Sequence, residues 1–249
     1  MLAERRHQLI LRALRSGGPA AVADLSERLG VSPATVRRDL VKLEEMGLLT
    51  RVHGGAVVEE GDQPFAEVAE IRVSEKDAVA ARAADMIEDG QSVLLDIGTT
   101  AFRLARRLHG RRLTVITSNL VVYEELADDT AIELVLLGGM VRREYRSLVG
   151  FLTEDNLRQL HADWLFMGTS GVRPGGQVMD TTVVEVPVKR AMIKAGEKVV
   201  LLADAGKFPG TGMAKVCGPE ELNVVVTNAS ADAATCAAFE EAGVKVVQA

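Results

Sequence analysis

The first 58 residues carry apolar positions at helical spacing in three short segments. Within 4–15, two adjacent apolar pairs lie four residues apart and form one stripe. The segment VADLSERLG places apolar residues at i, i+3 and i+7, and Gly30 is suited to end that helix. Ser32 is a favourable N-cap for the third helix, and Pro33 suits its first position because the missing N–H costs nothing there. The pattern predicts three short helices.

The third helix is predicted to have a buried face and a basic face. At 100° per residue, Val36, Leu40 and Leu43 fall within about 60° of each other and should face a core. Asp39 lies nearer the core side, so a structural role is expected for it. The opposite side begins with small residues, which allow close approach to another surface.

That exposed face has the chemistry of a helix that enters a DNA groove. From it, Thr35 and Arg38 can reach base edges, whereas Arg37 and Lys42 are better placed for phosphates. Ser32, at the helix start, is a further candidate DNA contact. Taken alone, the arginines would favour an ordinary solvated helix face over a DNA-binding one.

A hairpin is predicted directly after the third helix. Apolar-rich runs flank His53-Gly54-Gly55 in LLTRVHGGAVV. The order helix, helix, turn, helix, hairpin is that of a winged helix-turn-helix, which we assign to residues 1–57. Arg51 and His53, on the hairpin, complete the predicted DNA-binding set.

Residues 58–72 are acidic, contain Gly61 and Pro64 and lack clean periodicity, so we expect a linker. Ser74 is predicted to cap a helix that runs to about Asp89, with Gly90 ending it. Residues 73–249 then form the second predicted domain.

Short apolar runs alternate with helical stretches through that second domain. Runs such as SVLLDIGTT, LTVIT, IELVLLGG, DWLFMGTSG, KVVLLADAGK, NVVVTN and VKVV are rich in Val, Leu and Ile. Helices are predicted at 100–109, 119–127, 186–195 and 231–242. This alternation predicts an α/β fold with a mostly parallel sheet covered on both faces.

Polar residues follow the predicted strands, where ligands bind in open α/β sheets. A glycine and two hydroxyls at a helix start, in DIGTT, offer backbone N–H groups to a phosphate. Any one such loop is more often a simple helix cap, and Glu185 with Lys189 could be an ordinary surface pair. Five loops together predict a site for a small, polar, phosphorylated ligand: Asp96-Ile97-Gly98-Thr99-Thr100, Thr117-Ser118-Asn119, Gly138-Gly139, Gly168-Thr169-Ser170-Gly171 and Asp204-Ala205-Gly206-Lys207.

Charge and composition narrow the functions that the two predicted domains can have. Residues 1–58 hold 9 Lys and Arg against 6 Asp and Glu, whereas the remainder holds 20 against 29. Such a division indicates that only the N-terminal part meets a polyanion. With 47% hydrophobic and 26% charged residues, the chain can bury a core.

Metal, cofactor and membrane chemistry is not expected. Two lone cysteines and four scattered histidines form neither CxxC nor HExxH. No apolar run approaches the ~20 residues of a membrane span. Arginines interrupt MLAERRHQLILRALRSGG where a signal peptide is apolar, so a cytoplasmic location is expected.

The N-terminal residues also carry a family resemblance. The run VADLSERLGVSPATVRRDLVKLEEMGLLTRVHGGAV resembles the N-terminal signature of the DeoR family of bacterial transcriptional regulators. Its specific parts are S-x-x-T-V-R-R-D-L and the following G-L-L-x-R-x-H-G-G-A.

The remainder is similar to the C-terminal sensor domain of that family. The segments EKDAVAARAADMI, LLDIGTTAFRLARRL, LTVITSNL, LLGG, ADWLFMGTSGV, EVPVKRAMI and LLADAGKF match it in order, so the resemblance runs to about Asn228. It implies a fold similar to ribose-5-phosphate isomerase and a phosphorylated sugar as effector. The implied ligand positions are Asp96, Gly98, Thr99, Thr100, Thr117, Asn119, Gly168, Glu185, Lys189 and Lys207; the loops add Ser118 and Gly138.

The leading hypothesis is a repressor of sugar metabolism genes that binds double-stranded operator DNA and responds to a sugar phosphate. Ligand would change operator affinity by ~1–3 kcal/mol of coupling free energy. A palindromic or repeated operator implies a homo-oligomer, a dimer or a tetramer.

Two alternatives stay open. An aldose-phosphate isomerase-like enzyme with an accessory DNA-binding head could use the carboxylates as general bases. A sensor that has lost DNA binding would act through partners instead.

Overall fold

The computed structural model describes the chain apart from residues 1–2, 18–19, 46–48, 53, 58–63 and 211. It divides into an N-terminal unit, Met1–Gly61, and a C-terminal unit, Asp62–Ala249.

The N-terminal unit contains the three predicted helices and the predicted hairpin. Its elements in chain order are α1 (Ala3–Gly17), β1 (Ala20–Ala21), α2 (Val22–Leu29), α3 (Pro33–Glu45), β2 (Thr50–Val52) and β3 (Gly55–Val57). The strands form an antiparallel sheet in the order β1-β3-β2. The winged helix-turn-helix architecture is therefore confirmed.

The turn between α2 and α3 depends on a glycine. Gly30 ends α2 with φ of 62°, in the left-handed region that glycine adopts at low cost. The Val31 N–H donates to the Ser26 carbonyl at 3.2 Å, which closes the helix end. Apolar residues from all three helices then meet in one core: Ile10, Leu11, Leu14, Leu25, Val36, Leu40, Leu43, Leu49 and Ala56.

The C-terminal unit alternates strands and helices. Its helices are α4 (Phe65–Ala69), α5 (Val73–Ala84), α6 (Thr99–Ala105), α7 (Leu120–Leu126), α8 (Phe151–Leu157), α9 (Val186–Ala195) and α10 (Ala233–Glu241). Its strands are β4 (Ser92–Leu95), β5 (Leu113–Thr117), β6 (Ile132–Leu136), β7 (Met140–Arg142), β8 (Ser147–Val149), β9 (Ala162–Gly168), β10 (Gly171–Val172), β11 (Val178–Asp180), β12 (Gly196–Leu202), β13 (Ala214–Cys217), β14 (Val224–Thr227) and β15 (Lys245–Gln248).

Seven strands form one parallel sheet in the order β15-β14-β12-β9-β4-β5-β6. Alternate side chains enter two separate apolar clusters: Trp164 and Phe166 of β9 join one, and Leu165 and Met167 join the other. A sheet buried on both faces explains the nearly continuous apolar strands. The predicted α/β fold with a doubly covered parallel sheet is confirmed.

The helix predicted from Ser74 to Asp89 has different ends. It begins at Val73, after Arg72 in the left-handed region, and Ser74 lies inside its first turn. It ends at Ala84. There the Arg111 guanidinium donates hydrogen bonds to the Ala84 carbonyl, at 3.1 Å, and to the Ile87 carbonyl. A partner distant in sequence therefore ends this helix.

Several short elements lie outside the alternation predicted from sequence. The antiparallel pair β7–β8 leads into α8, and β10, β11 and β13 form a small antiparallel sheet. In the stretch expected to be a linker, residues 58–63 lie outside the described part, and 65–69 form α4. Its Phe65 makes an edge-on ring contact with Phe102, at 5.9 Å between centroids.

Among the helices that the structure describes, none is long and apolar enough to cross a membrane.

Candidate DNA-binding surface and effector site

Helix α3 presents the two faces that its sequence predicts. Val36 and Leu40 are buried, whereas Arg37, Arg38 and Lys42 are exposed. The side chain of Arg38 lies along the helix, with its Nε donating to the Ala34 carbonyl at 3.4 Å. The exposed side of α3 is therefore basic and free of bulky apolar groups.

Ser32 and Thr35 are hydrogen-bonded to each other at the start of α3. The Thr35 N–H donates to the Ser32 hydroxyl at 3.2 Å, and the two hydroxyl oxygens lie 2.9 Å apart. This is an N-cap arrangement, which satisfies a backbone donor at the helix start. Ser32 therefore has a structural task, and Thr35 remains partly exposed.

Asp39 fastens α3 to α1. It is buried and accepts hydrogen bonds from both Arg6 and His7, with the Arg6 Nη2 at 2.9 Å and the His7 Nε2 at 3.0 Å. Burial opposes its charge, but these bonds outweigh burial and hold the pKa of Asp39 below its ordinary value. Its structural role agrees with the position predicted for it.

The hairpin positions Arg51 beside the end of α3. Its backbone N–H and its Nε both donate to the Glu44 carboxylate, at 3.0 and 2.7 Å. Arg51 is exposed, and its ion pair with Glu44 lies at the surface. His53, the other predicted contact on the hairpin, lies outside the described residues.

In the C-terminal unit, Asp96 and Lys189 form a buried ion pair at the carboxyl ends of β4 and β9. The Lys189 Nζ contacts the Asp96 Oδ2, and it donates to the Gly168 carbonyl at 3.1 Å. The Gly168 N–H donates to the same Asp96 oxygen at 2.9 Å. Three residues predicted from separate motifs are thus brought into contact.

Three carboxylates surround the Lys189 ammonium. Burial disfavours its charge, but Asp96, Asp180 and Glu185 outweigh burial and raise the pKa of Lys189 above its ordinary value. The Asp180 Oδ2 lies 3.8 Å from the Nζ. Lys189 is therefore charged, and protein groups supply its hydrogen-bond and ion-pair partners.

Glu185 is held by two residues that the sequence analysis did not single out. Its Oε1 accepts hydrogen bonds from the Ser147 hydroxyl, at 2.8 Å, and from Arg142. Burial raises the pKa of Glu185, and Arg142 and Lys189 oppose that shift. Both partners lie on the β7–β8 hairpin, and no local motif marks either of them.

The loop after β5 is organised by its own side chains. The Thr117 hydroxyl donates to the Leu95 carbonyl at 2.8 Å and accepts from the Asn119 N–H at 3.0 Å. The Asn119 Oδ1 caps α7 by accepting from the Val121 N–H at 2.9 Å. Thr117 and the oxygen of Asn119 are therefore occupied, whereas the Asn119 Nδ2 has no hydrogen-bond partner among the described residues.

The DIGTT loop forms the turn from β4 into α6. Gly98 has φ of 107°, and the buried residues Thr99 and Thr100 begin the helix. The first hydrogen bond of that helix runs from the Phe102 N–H to the Gly98 carbonyl at 3.1 Å. Tyr145 lies against this loop, since a Cβ placed on Gly98 would be 3.7 Å from its hydroxyl.

Gly138 and Lys207 occupy different settings. Gly138 is tied to α8, because its N–H donates to the Asn156 Oδ1 at 2.8 Å and its carbonyl accepts from Thr153 at 2.7 Å. By contrast, Lys207 follows β12 within the 204–207 turn, and its ammonium has no carboxylate within 4.0 Å among the described residues. Lys207 therefore differs from Lys189, whose ammonium contacts carboxylates directly.

Four buried polar atoms, in the loops after β4 and β5 and in the turn before α9, have no hydrogen-bond partner among the described residues. They are the Asp96 Oδ1, the Glu185 Oε2, the Ser118 Oγ and the Asn119 Nδ2. Such atoms are costly unless something pairs with them, so they indicate a polar ligand. Carboxylate oxygens accept hydrogen bonds from hydroxyl groups, and the amide can donate one.

A winged helix-turn-helix with a basic α3, together with an α/β unit that carries a polar site, defines the class of ligand-responsive transcriptional regulators. Residues 6–61 match the DeoR-like helix-turn-helix domain, and residues 71–229 match the DeoR C terminal sensor domain. The chain belongs to the DeoR family, and it is a DNA-binding transcriptional regulator.

Relatives with assigned roles are similar over nearly the full length. The HTH-type transcriptional regulator GolR of Listeria innocua is 35% identical, over 97% of this chain and 96% of its own. The glycerol-3-phosphate regulon repressor of Escherichia coli is 31% identical, over 90% of each chain. The putative aga operon transcriptional repressor of Escherichia coli O157:H7 is 30% identical, over 98% of this chain and 93% of its own.

Among solved structures, ribose 5-phosphate isomerase A of Methanocaldococcus jannaschii overlaps with a TM-score of 0.40 at 18% identity, over 53% of this chain and 52% of its own. That overlap is limited, and the fold assignment rests on the seven-stranded parallel sheet itself.

Proposed function

We propose that the protein represses genes of sugar metabolism and that a small phosphorylated sugar, bound in the C-terminal unit, modulates its affinity for operator DNA. Three described relatives are named as regulators or repressors, one of them of a glycerol-3-phosphate regulon. A DNA-binding regulator of this kind acts where the cell's DNA lies, which in a bacterium is the cytoplasm.

One observation carries the proposal: among the described residues, buried acceptors without donors lie at the same edge of the sheet as an ammonium that no carboxylate contacts. The unpaired oxygens of Asp96 and Glu185 suit sugar hydroxyls, and the Asn119 amide can donate to one. Lys207 supplies a positive charge for phosphate. A sugar phosphate has both kinds of group in one molecule.

The ligand has a preferred orientation in this proposal. The Lys189 ammonium contacts Asp96, Asp180 and the Gly168 carbonyl, so in this proposal it holds Asp96 in place instead of binding phosphate. The phosphate then lies toward Lys207 and the first-turn amides of the DIGTT loop, while the hydroxyl groups face Asp96 and Glu185. We assign Gly98, Thr99 and Thr100 to the phosphate and Thr117 and Ser118 to the walls of the site.

We propose that repression requires a homo-oligomer, a dimer or a tetramer. In the C-terminal unit, Met140, Val141, Phe151 and Leu152 are large apolar side chains that remain exposed. A second copy of the chain would cover them, and a symmetric pair of α3 helices would match a palindromic operator. Sedimentation of Phe151→Lys, which should yield a smaller species than wild type, tests this surface.

We propose binding, and not catalysis, as the role of the site. The relatives that match nearly the full length are named as regulators or repressors, and the Asp96 Oδ2 is already bonded to the Lys189 ammonium and the Gly168 N–H. Coupled turnover of ribose 5-phosphate tests this directly. Turnover at a rate typical of isomerases would favour an enzyme with an accessory DNA-binding head.

The effector class is tested by a thermal-shift screen in which each sugar is paired with its phosphate. A ligand at 100 times its dissociation constant stabilises the folded protein by ~2.7 kcal/mol. We expect phosphorylated members to raise the melting temperature and their parent sugars to leave it nearly unchanged. Equal shifts with both members of every pair would contradict a phosphate site.

A further inference from the structure

Tyr145 lies in the turn between β7 and β8, and none of the sequence motifs singles it out. Residues 143–146 form this turn, and the Tyr145 side chain within it is half-buried. A Cβ placed on Gly98 would be 3.7 Å from the Tyr145 hydroxyl, so the phenol lies over the DIGTT loop. A turn that is distant in sequence therefore brings an aromatic hydroxyl to a loop of the effector site.

The charged groups around the Tyr145 hydroxyl are those of the effector site. Burial raises the pKa of Tyr145 to about 12, so the hydroxyl keeps its proton at neutral pH and can donate a hydrogen bond. The charges that modify this pKa are Lys189, which opposes the shift, and Asp180, Asp96 and Glu185, which add to it. Among the described residues, none forms a hydrogen bond with this hydroxyl.

Two further side chains of the β7–β8 hairpin reach the site through Glu185. The Ser147 hydroxyl donates to the Glu185 Oε1 at 2.8 Å, and Arg142 donates to the same oxygen. The Arg142 guanidinium also lies 5.8 Å from the centroid of the Tyr145 ring. The hairpin is therefore joined to the site by side chains on both of its strands as well as by its turn.

Tyr145 also packs against α4, the first helix of the C-terminal unit. The Tyr145 and Phe65 rings meet edge-on, with their centroids 6.1 Å apart. The Phe65 N–H donates to the Glu144 carbonyl at 2.9 Å, which ties the same turn to the first residue of α4. Helix α4 begins only a few residues after the N-terminal unit ends at Gly61. One turn thus contacts both the effector site and the start of the C-terminal unit.

We propose that the Tyr145 hydroxyl donates a hydrogen bond to the bound effector, and that Phe65 transmits this contact to α4. The inference rests on the proposed function and deepens it by naming residues through which occupancy of the site is relayed. A ligand that accepts the phenol proton would fix the turn, and with it the Phe65 ring and the Phe65–Glu144 hydrogen bond. Occupied and free protein then differ in how firmly α4 is held, which is the differential contact that coupling requires.

The competing interpretation is that Tyr145 only packs the hairpin against α4. A packing role belongs to the ring, whereas the proposed role requires the hydroxyl. Tyr145→Phe keeps the ring and removes the hydroxyl, so the two interpretations predict different results for this one variant. Tyr123, the other tyrosine of the chain, is exposed on α7 and supplies a matched control in Tyr123→Phe.

The first arm of the test measures ligand binding by the full chain. Thermal shifts are titrated with glycerol 3-phosphate, ribose 5-phosphate, glucose 6-phosphate and fructose 6-phosphate. For each compound that stabilises wild type, we expect the apparent Kd to rise about three- to tenfold in Tyr145→Phe, as loss of one hydrogen bond does. Tyr123→Phe should bind as wild type does, whereas a packing role for Tyr145 predicts no change in Kd for either variant.

The second arm follows α4 itself by hydrogen exchange and mass spectrometry. At saturating concentration of the same compound, exchange of the amides of residues 65–70 should slow in wild type and in Tyr123→Phe. In Tyr145→Phe, brought to equal saturation, the slowing should be largely lost. This readout reports on the relay without altering Phe65, so it does not depend on how a Phe65 variant folds.

The third arm measures the relay at the operator. Phe65→Leu should bind the compound with nearly the wild-type Kd, because Phe65 contacts the turn and not the ligand. It should nevertheless lose most of the ligand-induced change in operator affinity.

A Tyr145→Phe protein that binds with the wild-type Kd, or a wild type whose α4 exchange is unchanged at saturation, would overturn the inference and leave the proposed function intact. A wild type that no compound stabilises, and whose operator affinity none of them changes, would contradict the proposed effector class as well.

Discussion

Two lysines of the effector site differ in what their charge does for the protein. Lys189 balances Asp96, Asp180 and Glu185, all of which are buried. Lys207 has no carboxylate in contact among the described residues, and burial lowers its pKa. Sequence motifs identify both lysines as candidate site residues but do not distinguish their roles. Those roles depend on which carboxylates the fold brings near each lysine.

Replacing each of these lysines with methionine should therefore change stability in different ways. Lys189→Met would leave buried carboxylates without a counterion and should lower the free energy of unfolding by ~3–5 kcal/mol. Lys207→Met removes a partly buried charge that no carboxylate contacts among the described residues, so it should be neutral or stabilising. Urea denaturation monitored at the single tryptophan, Trp164, measures both. Equal losses would show that Lys207 has a carboxylate partner in solution.

On α3, Arg38 and Lys42 are both exposed but should differ in what they recognise. Arg38→Ala is expected to reduce discrimination between operator and random DNA by ~1–3 kcal/mol, as loss of a base contact does. Lys42→Ala should weaken both about equally and reduce the salt slope by about one. Fluorescence anisotropy over a range of salt concentrations measures both effects. If Arg38→Ala leaves the ratio of operator affinity to random-DNA affinity unchanged, Arg38 does not contact the bases.

At the scale of elements, the turn between α2 and α3 sets how the DNA-binding helix leaves the core. A Cβ on Gly30 meets open space, so only its backbone angle opposes substitution. Gly30→Ala should cost the N-terminal unit ~1 kcal/mol, and Gly30→Asn should cost less. Far-UV circular dichroism should show earlier melting of helix, while Trp164 fluorescence reports the C-terminal unit unchanged. A shift in the Trp164 transition would mean that the two units unfold together.

The regular elements are predictable because their pattern reflects local burial. Long runs of Val, Leu and Ile identify the parallel strands, and Ser32, Pro33 and Gly30 identify the ends of helices in the N-terminal unit. The β7–β8 hairpin could not be predicted from GGMVRREYRSLVG, since its strands have three residues each and include exposed Met140 and Val141. Its pairing depends on the sheet edge that it returns to, where Ser147 lies buried.

The candidate site is partly predictable for the same reason. Loops at strand ends are visible in the sequence, so Asp96 and Gly168 are expected to lie together, whereas Lys189 enters the set only through the family resemblance. Arg142 reaches Glu185 only because the β7–β8 hairpin carries it there. Side chains delivered by tertiary packing leave no local signal.

At the scale of the whole molecule, the account requires that occupancy of the C-terminal unit changes operator binding by the N-terminal unit. The two units are separate compact bodies, so any such effect is a coupling free energy between distinct sites. By linkage, operator DNA must alter effector affinity by the same factor. This reciprocity separates true coupling from simple occlusion of DNA by ligand at high concentration.

The most direct measurement is operator affinity in the presence of matched sugars and sugar phosphates. The operator is first selected from a randomised duplex library with the full chain, and anisotropy titrations then use glycerol, glycerol 3-phosphate and a panel of such pairs. The account predicts that only a phosphorylated member changes the operator Kd, by about 5–150-fold, and that Lys207→Met abolishes the change. A wild type that answers equally to a sugar and its phosphate, or to no member of the panel, would contradict it.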